Sequence, residues 1–147
     1  QTSENKVTLK HELKQLKHYI DIEKTRFSDR LHFYVNLDRQ THDALLPSML
    51  LQPLVENAIK FSIGKQESHA NIVIKSRKLK ENLVIGIEDN GAGIATQTPN
   101  ASCGLGVGLR NTIDRLRIFY GKHYTFTLSS NRPSGTKVSI QIPCEYV

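Results

Sequence analysis

Long apolar runs are missing from this sequence. No stretch approaches the roughly 18 residues of a membrane span, and the N-terminus, QTSENKVTLKHELKQLK, lacks the apolar centre of a signal peptide. Cysteine is nearly absent too: Cys103 and Cys144 stand far apart and form no CxxC pair. That pattern argues against a metal site or redox motif and reads as two reduced, incidental thiols of a cytosolic domain. Aromatic residues make up only 7%, and the basic residues behind the net charge of +6 and pI of about 9.4 are dispersed. With no recognition motif beside them, no nucleic acid is expected as a partner, and an anionic ligand accounts for part of the excess. An initial Met is also lacking, so the chain is expected to be a piece of something longer.

What is present is a soluble composition, 38% hydrophobic and 23% charged, in 147 residues: enough for one domain with a real core. Val7 to Ser28 carries Val7, Leu9, Leu13, Leu16, Ile20 and Phe27 at helical spacing, with Tyr19 and Ile22 widening the stripe and Thr8 available as a cap. RLHFYVNLD, Arg30 to Asp38, switches to alternation and reads as a strand with one buried face. Arg39 to Leu46 is a polar connection, after which Pro47 and Ser48 open a second helix. Gly64 to Ala70 is a turn, Asn71–Lys78 and Asn82–Glu88 form a hairpin, and Ala95 to Ser102 is a patternless loop. A third helix runs from about Val107 to Tyr120, and strands near Tyr124–Ser130 and Thr136–Pro143 finish the chain around a Pro133-Ser134-Gly135 turn. Strands and helices therefore mix in an α/β fold.

The stretch LLQPLVENAIKFS, Leu50 to Ser62, holds the densest chemistry. At about 100° per residue, Leu51, Leu54, Val55, Ala58, Ile59 and Ser62 share one side, and Pro53, Glu56, Asn57 and Lys60 the other. An amide oxygen suits a hard cation such as Mg²⁺, an ammonium suits phosphate, and a carboxylate can orient water or a proton. A solvated helix face is the plainer reading of the same residues. Downstream, Asp89 ends a strand beside Gly91 and Gly93, where backbone can approach a ligand next to a carboxylate able to accept from an amine such as that of adenine; an ordinary β-turn is the alternative. Gly104, Gly106 and Gly108 precede a helix whose free amides and dipole suit an anion. Neither familiar phosphate motif fits: Leu109 and Thr96 stand where a Rossmann spacing needs glycine, and Ile59 where a P-loop does.

Taken in order from about Leu46 to Val147, these pieces resemble the Bergerat-fold ATP-binding domain shared by histidine kinases, Hsp90, type II topoisomerases and mismatch-repair ATPases. The helix matches that superfamily's N box through Asn57, DNGAGI its first glycine box through Asp89, Gly91 and Gly93, GLGVGL its second, and Gly135-Thr136 its short final glycine motif. Together with LQPLVENAIKF, the segment Tyr19 to Phe27 and the later GLRNTIDRL resemble sensor histidine kinases of the LytS/YehU type, a similarity reaching back to about Val7. The resemblance implies a two-layer α/β sandwich, a mixed, mostly antiparallel sheet with helices on one face, preceded by an N-terminal helix. Residues 1–29 would be a connecting helix from an upstream dimerisation and phosphoacceptor region, and residues 30–147 the catalytic domain.

On matching positions it also implies roles. Asn57 would ligate Mg²⁺, Lys60 would contact phosphate, and Glu56 would steer protons or water. Asp89 would read adenine, flanked by Gly91, Gly93 and Ile94 and supported by Thr136. The amides of Gly104, Leu105, Gly106, Val107, Gly108 and Leu109 would cradle phosphates, with Ala95 to Cys103 as the ATP lid. Two positions depart from relatives: Phe61 stands where His is frequent, and Pro53 where hydrolysing members keep a general-base Glu, which favours transfer to a protein acceptor over autonomous hydrolysis.

His11-Glu12-Leu13-Lys14 imitates a phosphoacceptor box, but Gln15-Leu16 replaces the usual Thr-Pro or Asn-Pro, and the interval between His11 and Asn57, part of it already a strand, leaves no room for a two-helix dimerisation hairpin. The acceptor His is therefore expected outside this chain. The reading is the ATP- and Mg²⁺-binding catalytic domain of a two-component kinase, passing the γ-phosphoryl to that His and on to a response-regulator aspartate. The full protein would be a homodimer, with this domain on the cytoplasmic side of an inner-membrane sensor. A Bergerat ATPase that hydrolyses ATP, or a non-catalytic docking module, are the competing readings.

Overall fold

The computed structural model describes residues 5–62, 69–91, 106–130 and 134–147, apart from the side chains of Phe61, Gly106, Val107 and Gly108. In chain order these form β1 (Lys6–Thr8), α1 (Leu9–Phe27), β2 (Leu31–Leu37), β3 (Leu45–Pro47), α2 (Gln52–Ser62), β4 (Ala70–Leu79), β5 (Asn82–Glu88), α3 (Gly106–Tyr120), β6 (Thr125–Ser130) and β7 (Thr136–Pro143). Short 3₁₀ turns cover Ser28–Arg30 and Arg39–Thr41. No described helix is long and apolar enough to cross a membrane.

Five strands make one sheet in the order β2-β4-β5-β7-β6, with β2 parallel to β4 and every other pair antiparallel. Alternation decides its two faces. Leu31, Ile72, Ile74, Leu83, Ile85, Ile87, Val138, Ile140 and Ile142 point into the core, where the helices cover them. Asn36, Lys75, Arg77, Val84, Gly86, Glu88, Lys137 and Ser139 lie on the other face, around an open concavity of about 550 Å³. This is the expected two-layer sandwich, mostly antiparallel, with its helices on one face.

Each helix buries one stripe. α1 contributes Leu9, Leu13, Leu16 and Ile20, and α2 contributes Leu54, Val55, Ala58 and Ile59, to the same core as the sheet. Truncating one such leucine to alanine costs about 2–5 kcal/mol. Thr8 caps α1 as expected, its hydroxyl accepting from the amide of His11 at 3.2 Å.

Four local expectations are corrected. Val7 belongs to β1 rather than to the helix, because its backbone pairs with Leu46 of β3. The segment Arg39 to Leu46 is more than a polar connection: Thr41, Ala44 and Leu46 are buried and Leu45–Pro47 is a strand. Pro47 consequently sits in β3, and the second helix begins at Gln52. Ile22 is 64% exposed, since two residues past Ile20 is about 200° around a helix, opposite the buried stripe.

Candidate functional site

Asn57 and Asp89 approach one another across the interface between α2 and the end of β5. They line a small cavity of about 30 Å³ with Leu54, Ala58, Ile87, Leu109, Leu128, Thr136 and Val138. Helix periodicity places Asn57 there: Leu54, three residues before it, and Ala58, next after it, are core residues on the same side, so the amide sits at the edge of the apolar stripe. Its Nδ2 is buried and has no hydrogen-bond partner among the described residues. A buried polar atom left unpaired costs free energy, so this amide calls for a partner from outside the described residues.

Asp89 is buried at the strand's end. One carboxylate oxygen, Oδ1, accepts from the amides of Gly91 at 2.8 Å and Thr136 at 3.2 Å, and the Asp89 amide donates to the Thr136 carbonyl at 2.9 Å. Burial pushes its carboxyl above the usual carboxylate range, and these two amide donors oppose that rise. Gly135 lies directly against this backbone: with φ of +110°, an added Cβ would fall 1.8 Å from the Asp89 carbonyl oxygen. The neighbouring Asn90 fastens the loop to the start of β4, accepting from the amide of Asn71 at 2.8 Å and donating to the His69 carbonyl at 3.0 Å.

The remaining predicted residues divide between two places. Leu109 and Thr136 join Asn57 and Asp89 in the cavity. Glu56 and Lys60 instead line a groove between α1 and α2, of about 400 Å³, with Tyr19, Glu23, Arg26, Phe27 and Ile59. Burial and the carboxylates of Glu23 and Glu56 push the Tyr19 hydroxyl up to about 12. The backbone of Gly106, Val107 and Gly108 forms the first turn of α3, whose amides have no intrahelical partner by geometry. Gly93, Ile94, Gly104, Leu105 and the stretch Ala95 to Cys103 lie outside the described residues, as does most of the Gly64 to Ala70 turn. A role for Gly135 in buttressing Asp89 is visible only in three dimensions; its sequence signal was the Gly-Thr pair alone.

Among solved structures, the fold is similar to the catalytic domain of histidine kinase ThkA, with a TM-score of 0.69 at 17% identity over 97% of each chain. It is likewise similar to the histidine kinase AdeS of Acinetobacter baumannii, with a TM-score of 0.68 at 20% identity over 95% of this chain and 66% of that one. The class is thus a Bergerat-type α/β sandwich. Residues 42–146 match the family described as histidine kinase-, DNA gyrase B- and HSP90-like ATPases, and residues 1–31 match a histidine kinase family. The chain belongs to the histidine kinase-, DNA gyrase B- and HSP90-like ATPase family, and within it resembles sensor kinases. It is 34% identical over 138 residues to the sensor histidine kinase YesM of Bacillus subtilis, covering 94% of this chain and 24% of that protein. Against the sensor protein LytS of Staphylococcus saprophyticus it is 33% identical over 147 residues, covering 95% and 25%. The sensor histidine kinase BtsS of Escherichia coli is 33% identical over 137 residues, at 93% and 24%. The chain spans about a quarter of the length of these relatives.

Proposed function

We propose that this chain is the Mg-ATP-binding catalytic domain of a sensor histidine kinase, delivering the γ-phosphoryl to a histidine outside residues 1–147. The observation that carries the reading is the buried, unpartnered amide of Asn57 in one cavity with the Asp89 carboxylate. A half-turn of that amide presents Oδ1 in place of Nδ2, which is the donor a hard cation prefers. The residues therefore fit Mg²⁺ together with an adenine nucleotide.

In this reading the Asp89 carboxylate accepts from the exocyclic amine of adenine, held in place by the Gly91 and Thr136 amides. Lys60, one turn beyond Asn57, supplies positive charge to the phosphates, and the first turn of α3 supplies free amides. Glu56 orients a proton or water. When bound, Mg²⁺ neutralises phosphate charge; the protein contributes positioning and oriented donors. In the whole protein, residues 1–29 continue from a dimerisation and acceptor region, the relay ends on a response-regulator aspartate, and the domain lies on the cytoplasmic side of a membrane sensor. The sensor kinases it resembles are about four times longer, which leaves room for such further regions.

Calorimetric titration of ADP and a non-hydrolysable ATP analogue, with and without Mg²⁺, tests the site. Saturable binding is expected, weakened in Asp89→Asn and stripped of its Mg²⁺ dependence in Asn57→Ala. Unchanged Mg-dependent affinity in Asn57→Ala refutes the assignment of the cation to that amide.

A further inference from the structure

Glu12 is the one buried carboxylate on α1, 1% exposed, and no cation pairs with it among the described residues. Leaving a carboxylate in the interior is costly unless hydrogen bonds replace its water. Here the replacements come from a different element. Oε1 accepts from the amide of Met49 at 3.1 Å, and Oε2 from the amide of Leu51 at 3.0 Å. Leu51 is the residue whose carbonyl takes the first bonds of α2, from the amides of Leu54 and Val55. Being leucine, it has no side-chain oxygen to serve the orphan donors of a helix start. Met49 holds a left-handed backbone, φ 63°, without being glycine. A charge-assisted bidentate bond from α1 thus fixes both the start of α2 and the unfavourable turn leading into it.

The two helices then run in the same sense. Glu12, near the start of α1, meets the start of α2, and Tyr19, Glu23, Arg26 and Phe27 further along meet Glu56, Ile59 and Lys60. The Glu12 contact also bridges the segment matching the histidine kinase family and the segment matching the ATPase family. We infer that Glu12 is a positioning residue: its carboxylate sets the register of α1 against α2 and so orients α2, which carries Asn57 toward the cavity and Lys60 toward the groove. This rests on the Mg-nucleotide reading of Asn57 and Lys60. Displacement of α1 by the chain preceding it would reach the site through this bond.

The test uses the full-length protein and compares ADP affinity with and without Mg²⁺ by calorimetry, beside thermal unfolding. Glu12→Gln, which keeps the shape but sets an N–H against one backbone amide, is expected to cut the Mg²⁺-dependent gain in affinity by about tenfold. Glu12→Asp keeps the charge on a shorter arm and is expected to fold and to lose part of that gain. Ile20→Val, a core truncation on the same helix, is expected to lower the melting temperature and leave the gain intact. An undiminished gain in both Glu12 variants, or an equal loss in Ile20→Val, overturns the inference and makes Glu12 a stability residue only. Absence of any Mg²⁺ gain in the wild type would instead overturn the reading of the Asn57 face, and this inference with it.

Discussion

Gly135 meets the backbone of Asp89 so closely that a Cβ would lie 1.8 Å from its carbonyl oxygen and 2.6 Å from its carbonyl carbon. Both atoms are main chain and cannot swing aside. Gly135→Ala must therefore displace the end of β5 and also place a side chain at φ +110°. The expected cost is about 2–3 kcal/mol, read by denaturant unfolding, accompanied by weaker nucleotide binding because Asp89 moves. An alanine variant with wild-type stability and affinity would show that Gly135 does not hold Asp89.

Burial raises the Asp89 carboxyl above its ordinary 3.8 despite two amide donors, and the sign of the pH effect follows. The folded state binds the proton more tightly than the unfolded chain, so Asp89 favours folding most below the unfolded value. That contribution declines as pH rises from about 3.8 through the raised folded value. Asp89→Asn cannot titrate. Between about pH 3.5 and 7, the melting temperature of the wild type is expected to fall relative to that of the variant, and parallel curves would refute the effect.

Much of this fold was legible from periodicity. The bounds of β5 and β7 match the runs marked off by their turns, and a strand between two neighbours keeps its alternation along its whole length. What could not be read depended on contacts between distant segments. Pro47 looks like a helix opener, yet its place is set by pairing with Lys6. The burial of Glu12 contradicts its charge and makes sense only beside the amides of Met49 and Leu51. At the site, Asn57, Asp89, Leu109 and Thr136, which motif order assigns to one nucleotide site, line one cavity. Helix geometry separated Glu56 and Lys60 from them, toward α1, a division that adjacency in sequence hides.

Thr8 accepts the amide of His11 at the first turn of α1. Thr8→Ala removes that cap and is expected to cost about 1 kcal/mol in unfolding free energy. His11 also sits 3.2 Å from the side chain of Gln15 on the exposed side of the helix, beside the cap rather than beside Asn57. If His11 is solely a helix residue, phosphorylation of the full-length kinase persists in His11→Gln. Loss of all phosphohistidine in that variant would return His11 to candidacy as the acceptor.

Gly86 lies in the middle of β5, between Lys75 and Ser139, on the face the helices leave open. Glycine weakens a strand interior by roughly 0.5–1 kcal/mol, and nothing among the described residues demands it here. The nearest atom to an added Cβ is the Val138 carbonyl oxygen, at an ordinary 3.9 Å. A β-branched residue suits such a pleated, half-open surface, so Gly86→Thr is expected to raise unfolding free energy by about 0.5–1 kcal/mol. Asn57 and Asp89 lie on the far side of the sheet, and nucleotide affinity should not change. A stabilised protein with unchanged ADP binding would separate the two faces of the sheet functionally; weakened binding would mean that strain in β5 travels along the strand to Asp89.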